Sequence, residues 1–204
     1  MTTDLHPAAE TLITTASEFL AEVADLSVPL PTPTLLTPSP LTNQTNTPRT
    51  PGTSLETHLN ASYGPGNRYY ERFKSLILHA LQENEPWLAS DALDGPKYRR
   101  SRLLAPSERT RYFSITTVYM ESIPEYRGQY HLHPYGEINC VIPVTEGAEL
   151  KGMNGWQGAG WTSPAAGTHH YPEVRGGALV ALFFLPAGRI SYAASPEMEQ
   201  PVCV

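Results

Sequence analysis

The sequence predicts a mainly β protein, an antiparallel β-barrel preceded by α-helices. Apolar residues recur at helical spacing only in the N-terminal part of the chain. From about residue 111 the apolar residues alternate instead with a period of two, and Gly/Pro turns separate the runs. Short strands at regular spacing, with no helices between them, are typical of a β-sandwich or a small barrel.

Length and charge narrow the class of protein further. The chain has 204 residues and a formal net charge of −6, which suits one domain with a tail. No basic run indicates a nucleic-acid partner or an anionic membrane surface. The two cysteines form no disulfide framework, and there is neither a signal peptide nor an apolar run of transmembrane length. We therefore expect a cytoplasmic protein without a membrane or nucleic-acid partner.

Three segments follow from the composition. Residues 1–27 contain an amphipathic helix whose apolar stripe includes Leu12 and Phe19. Residues 28–54 hold seven prolines and eight threonines with one charge, so we expect a flexible linker. Residues 55–204 form the helix-plus-barrel domain. The first helix is either a docked tether or a partner-binding segment, and we expect the barrel to fold without residues 1–54.

A second helix is predicted over residues 67–84. Asn67 is a suitable N-cap, an apolar stripe follows at helical spacing, and Pro86 ends the helix. The stretch "LDGPKYRRSR", residues 93–102, comes next and is interpreted as a basic surface turn.

Five runs of alternating apolar residues are predicted as strands. They are residues 111–122, 127–134, 136–144, 148–153 and 176–186.

The run "GQYHLHPYGEINCVIPVTEG" carries the strongest chemical signal. His131 and His133 are two apart on a predicted strand, so their side chains project from the same face. Residues 134–136, Pro-Tyr-Gly, form a turn that brings Glu137 back to face them. Two imidazoles and a carboxylate inside a barrel suit a divalent transition metal with open positions. The same residues could instead form a metal-free polar pocket for acid–base chemistry.

These residues resemble the two motifs of the cupin superfamily. The H-x-H-x3-E pattern occupies residues 131–137, although Gly147 comes later than the pattern asks. The second motif appears at Gly167, without its asparagine. Its G-x2-H spacing selects His170 as the fourth ligand, and His169 stays an alternative. The resemblance implies a cupin-like double-stranded β-helix in which the two motifs hold the metal and carry the catalysis.

A longer stretch, roughly residues 60–192, resembles the 4-hydroxylaminobenzoate lyases. The runs "YHLHPYGEINCVIPV", "GWTSPAAGTHHYPEVRGG" and "LFFLPAGRISY" carry this resemblance. It implies a lyase that converts a small aromatic hydroxylamine to a catechol and releases ammonia, with Fe, Mn, Zn or Ni as the divalent metal ion. A metal-dependent cupin dioxygenase or isomerase, and a non-catalytic small-molecule-binding cupin, are the alternatives. By analogy with cupins, a homodimer is expected.

Substrate-binding residues are expected around this cluster. Arg175 and Arg189 lie at turns bounding the last strand, where either could hold a carboxylate. Tyr135 and Tyr171 supply flat surfaces for an aromatic ring. Asn139 shares the strand face of the predicted glutamate ligand and is expected to support it.

Overall fold

A computed structural model describes residues 5–23 and 50–201 of the chain. Its α-helices are α1 (Pro7–Val23), α2 (Thr53–Ser62) and α3 (Arg68–Gln82). Its strands are β1 (Asp91–Ala92), β2 (Tyr98–Leu104), β3 (Phe113–Ser122), β4 (Tyr126–Arg127), β5 (His131–Leu132), β6 (Ile138–Pro143), β7 (Glu149–Gly152), β8 (Gly155–Gln157), β9 (Gly160–Thr162), β10 (His169–His170), β11 (Glu173–Arg175) and β12 (Gly177–Pro186).

The strands form three antiparallel sheets, so the mainly β fold with preceding helices is confirmed. The large sheet has the order β1-β2-β3-β12-β6-β9, a second has β4-β11-β7-β8, and β5 pairs with β10. Within the described residues no ladder joins the two larger sheets. An apolar layer that includes Met120, Leu150 and Val174 connects them instead, so they pack face to face.

Strand β12 lies in the middle of the large sheet and is buried on both faces. It pairs with β3 on one side and β6 on the other. Val180, Leu182 and Phe184 belong to the core shared with the helices. Leu179 and Ala181 point the other way, into the layer between the sheets. An apolar run without alternating polar residues is what a doubly buried strand requires.

The second predicted helix is confirmed as α3. The side chain of Asn67 accepts a hydrogen bond from the backbone N–H of Tyr69 at 2.9 Å, which caps the first turn. The Tyr70 hydroxyl donates to the carbonyl oxygen of Val141 at 2.9 Å. This bond ties the helix to β6, the strand that follows the predicted ligand glutamate.

Helix α1 is docked on the large sheet. Phe19 is fully buried and stacks on Trp161 with ring centroids 4.7 Å apart. It also contacts Phe73 edge-on, with centroids 5.9 Å apart. Of the two roles considered for this helix, the packing supports the docked one. We therefore no longer expect residues 1–54 to be dispensable for folding.

The described residues test the flexible-linker prediction only for residues 50–54. Residues 28–49 lie outside the described part of the chain. Helix α2 begins at Thr53, inside the segment expected to be flexible. Pro51 is buried beside Gly136, so the described end of this segment packs against the domain. The division into the three segments otherwise stays a prediction.

The interpretation of residues 93–102 as a surface turn is wrong for their second half. Residues from Tyr98 onward form β2, which pairs with β3. Tyr98 is buried, and side chains two apart on this strand face the layer between the sheets. No helix in the described ranges is long and apolar enough to cross a bilayer.

Replacing Phe19 by alanine tests the docking of α1. Loss of a fully buried phenylalanine typically costs about 3–5 kcal/mol. For a chain of this size we expect the melting temperature to fall by roughly 10 °C. Glu18→Ala is the matched control, because Glu18 is exposed on the same helix. Equal melting temperatures for the two variants in thermal denaturation would contradict the docked helix.

Candidate active site

The short pairing of β5 with β10 brings the predicted histidines together. His131 and His170 are direct partners in this antiparallel ladder, and their ring centroids are 5.1 Å apart. The backbone N–H of His133 donates to the carbonyl oxygen of Thr168 at 2.9 Å. The chain segments on either side of the cluster are therefore connected by backbone hydrogen bonds.

A tight turn places Glu137 next to this cluster. The N–H of Gly136 donates to the carbonyl oxygen of His133 at 3.3 Å, and Gly136 has a φ of +81°. A side chain there would also collide with Pro51, so glycine is required for both reasons. The N–H of Glu137 then donates to the carbonyl oxygen of Pro164 at 2.9 Å.

Backbone carbonyls determine which ring nitrogens are available. The Nδ1 of His131 lies 2.9 Å from the carbonyl oxygen of Gln129, and the Nδ1 of His133 lies 2.9 Å from that of Thr168. A carbonyl only accepts, so each Nδ1 carries the proton and each Nε2 keeps its lone pair. These two Nε2 atoms are 3.0 Å apart. Two lone pairs this close repel unless a proton or a cation lies between them.

Burial keeps the three imidazoles neutral. It lowers the pKa of His131, although the hydrogen bond to Gln129 opposes the shift. The pKa of His133 falls well below its ordinary value through burial and the neighbouring imidazoles. Burial, with His131 nearby, lowers the pKa of His170 to about 3. Neutral imidazoles are the form that binds metal ions.

The three histidines fit a divalent metal ion. One nitrogen from each of His131, His133 and His170 can be chosen so that all lie within 4.8 Å of one another. Two ligands at right angles about 2.1 Å from one ion would themselves be about 3 Å apart, which agrees with the separation of the two Nε2 atoms. Imidazole donors suit Zn, Fe and Ni alike, so the donor set does not select the element.

Glu137 lies beside this group but outside it. Its Oε1 is 3.7 Å from the Nε2 of His133 and accepts a hydrogen bond from the Nδ2 of Asn139 at 2.7 Å. The carboxyl is buried, and burial raises its pKa to about 8. The Nδ2 of Asn139 also contacts the hydroxyl of Thr162 at 2.9 Å. Asn139 thus orients the Glu137 carboxyl through its hydrogen bond to Oε1. The role of Glu137 as a fourth ligand stays a prediction.

His169, the alternative ligand, faces the other side of β10. Its ring nitrogens contact the Tyr130 hydroxyl and the carbonyl oxygen of Glu199. Adjacent strand residues alternate in direction, so only His170 joins the cluster with His131.

A cavity of about 390 Å³ opens from the cluster into the layer between the sheets. This volume is in the range of small-molecule sites. His131 and Glu137 form part of its wall. The other lining residues are Asp91, Tyr98, Arg100, Arg102, Thr116, Val118, Met120, Pro172, Phe183, Leu185, Ile190 and Tyr192.

The structure places the two predicted arginines outside this lining. Arg175 pairs with Glu149 at 2.6 Å and lies over the Trp156 ring, 4.2 Å from its centroid. Its neighbour Val174 packs between the sheets, so Arg175 is on the outer face of its sheet. Arg189 is exposed. Their substrate-binding role stays a prediction that these positions do not support.

The two predicted tyrosines are also absent from the lining of this cavity. Tyr135 is 56% exposed in the turn before Glu137. Tyr171 packs edge-on against Tyr130, with centroids 4.7 Å apart, and borders a second pocket that His170 of the cluster also lines.

Sequence analysis missed the β2 side of the cavity. Tyr98, Arg100 and Arg102 line it, and they are spaced two apart in "YRRSR". That alternation was a strand signal, but the preceding Gly-Pro and the density of basic residues favoured a surface turn.

Comparisons with known proteins identify the family of this chain. The family model for 4-hydroxylaminobenzoate lyase matches residues 40–192. The chain belongs to the 4-hydroxylaminobenzoate lyase family. A relative of that name from Nocardioides sp. (strain LMS-CY) is 58% identical over 74% of this chain and 88% of its own length. Another from Pseudomonas putida is 53% identical over 71% of this chain and 85% of its own.

Among solved structures, the DMSP lyase DddQ from Ruegeria pomeroyi aligns with 96% of this chain and 100% of its own. Its sequence identity is 19% and its TM-score is 0.46. The family match includes the whole histidine cluster and every lining residue of the cavity, whereas α1 lies before it.

Metal content tests the histidine cluster. Wild-type protein should carry roughly one divalent ion per chain, and His133→Ala and His170→Ala should lose most of it. His169→Ala is the matched control, since its ring faces away from the cluster. Elemental analysis of the purified proteins measures this. Equal metal content in all four proteins, or a loss in His169→Ala alone, would contradict the assignment.

Proposed function

We propose that the chain is a lyase that converts 4-hydroxylaminobenzoate to a catechol and releases ammonia. Membership of the 4-hydroxylaminobenzoate lyase family carries this proposal. The site supports it independently, because three imidazoles and one carboxyl converge beside a cavity of suitable size. The family match does not favour the dioxygenase, isomerase or simple binding alternatives.

The proposed reaction balances without an oxidant or reductant. The N–O bond of the substrate breaks, and the departing hydroxyl takes up a proton and leaves as water. Another water adds its hydroxyl to the neighbouring ring carbon, which gives up its proton. Water also replaces nitrogen at the carbon that carried it, and the nitrogen leaves as ammonia. Two waters are thus consumed and one is released, so that one 4-hydroxylaminobenzoate and a net one water give one 3,4-dihydroxybenzoate and one ammonia. The site must therefore assist departure of a hydroxyl and bring water to the ring.

We assign proton transfer to Glu137. Its position on the cavity wall, 3.7 Å from the His133 Nε2, supports donation of a proton to the departing hydroxyl oxygen. The hydrogen bond from Asn139 orients the carboxyl for this transfer. The three histidines would hold a divalent ion, which would supply Lewis acidity at this end of the cavity.

The apolar part of the cavity supports the same chemistry. Met120, Phe183 and Leu185 provide surface against which an aromatic ring can pack. An apolar wall also limits the number of waters near the ring, which favours addition of positioned water over side reactions with solvent. The small aromatic substrate is thus held by packing, with the reacting nitrogen directed to the histidines.

Turnover of 4-hydroxylaminobenzoate tests the proposal. We expect ammonia and 3,4-dihydroxybenzoate in equal amounts, measured by an enzymatic ammonia assay and by chromatography. Glu137→Gln should lower kcat by about 100-fold or more, since a general acid contributes about that much. On this assignment it should keep its metal, because the three histidines would hold the ion without Glu137.

Two outcomes would contradict parts of this assignment. If wild-type protein with added divalent metal forms no ammonia from the substrate, the proposed reaction is wrong. If Glu137→Gln loses its metal together with its activity, Glu137 is a ligand and not the proton carrier. Glu146→Gln serves as a control, since Glu146 is an exposed residue of the loop after β6.

A further inference from the structure

We propose that Arg100 and Arg102 on β2 bind the carboxylate of a para-substituted benzoate and so determine which substrates the cavity accepts. This inference rests on the proposed function and adds the residues that recognise the far end of the substrate. Both arginines line the cavity, on a strand that sequence analysis did not assign to the site.

The strand register locates these arginines relative to the histidine cluster. Arg102 is paired with Thr116, Thr116 with Phe183, and Phe183 with Asn139. These four residues form one row across the inner face of the large sheet. Asn139, at one end of the row, holds the Glu137 carboxyl. Arg102 is therefore at the opposite end of the row from the predicted chemistry.

The length of this row suits an elongated ligand. Strands β2 and β6 are separated by three strand spacings, about 14 Å along a flat sheet. A long arginine side chain and a benzoate ring with para substituents can together span that gap. The middle of the row presents Phe183 to the ring. The cavity thus has His131 and Glu137 at one end, an apolar middle and the two arginines at the other end.

The two guanidinium groups are available for a ligand. Within the described residues, the guanidinium groups of Arg100 and Arg102 form neither a hydrogen bond nor an ion pair. The neighbouring Arg99 differs, because its guanidinium lies over the Tyr119 ring, 4.5 Å from the centroid, and donates to Pro96. Two free arginines on one face can hold a carboxylate with paired hydrogen bonds.

One acidic residue shares this end of the cavity. Asp91 is the register partner of Arg100 on β1, yet the two make no ion pair. Its carboxylate would repel a substrate anion. Asp91→Asn should therefore tighten anion binding, an effect that a purely structural role for the arginines does not predict.

Binding of two unreactive ligands to the full chain tests the inference. 4-Aminobenzoate carries the carboxylate, and 4-aminobenzamide is its neutral analogue. By calorimetry, Arg100→Gln/Arg102→Gln should weaken binding of the benzoate roughly 30-fold or more and change binding of the amide little. Arg99→Gln should match the wild type with both ligands. If the double variant melts early, the single variants Arg100→Gln and Arg102→Gln provide the same comparison.

Several results would overturn the inference. The inference is wrong if wild-type protein does not bind the benzoate more tightly than the amide. It is also wrong if the variants lose affinity equally for both ligands, or if they bind the benzoate as tightly as the wild type does. Failure of the reaction is a separate outcome. If wild-type protein releases no ammonia but binds 4-aminobenzoate through these arginines, the proposed lyase activity is wrong and the anion site stands. If the lyase is active with an unchanged KM in the variants, the anion site is wrong and the reaction stands.

Discussion

The 3.0 Å approach of the Nε2 atoms of His131 and His133 is the constraint on which the rest of the site depends. Each ring is turned this way because its Nδ1–H donates to a backbone carbonyl. Protonation of both rings is disfavoured, since burial lowers the pKa of each. A cation held between them, with His170 as a further donor, would relieve the repulsion.

The surrounding fold positions the histidines and Glu137. The pairing of β5 with β10 aligns His131 with His170, and the turn at Gly136 returns the chain to the cavity wall. The helices pack on the other face of the large sheet, so its inner face is left for the ligand. Helix α1, which lies before the region shared with the family, completes that outer core.

Local patterns made the cluster predictable from the sequence. Residues two apart on a strand share a face, and a Pro-Tyr-Gly turn reverses the chain, so the first motif needed no distant information. The rest depends on long-range pairing. Sheet register places Glu149 beside Arg175, so that the two form an ion pair. Sheet register also pairs β2 with β3, which places β2 in the cavity wall. Nothing in the local sequence separates an arginine held by a partner from one that lines a cavity.

The cavity has two chemically different ends, with His131 and Glu137 at one and Arg100 and Arg102 at the other. A crystal structure of the metal-loaded protein with 4-aminobenzoate measures this most directly. The ligand should lie along the row from Asn139 to Arg102, with its amino group at the histidines and its carboxylate at Arg100 and Arg102. A carboxylate bound at the histidines, or a ligand outside this cavity, would contradict it.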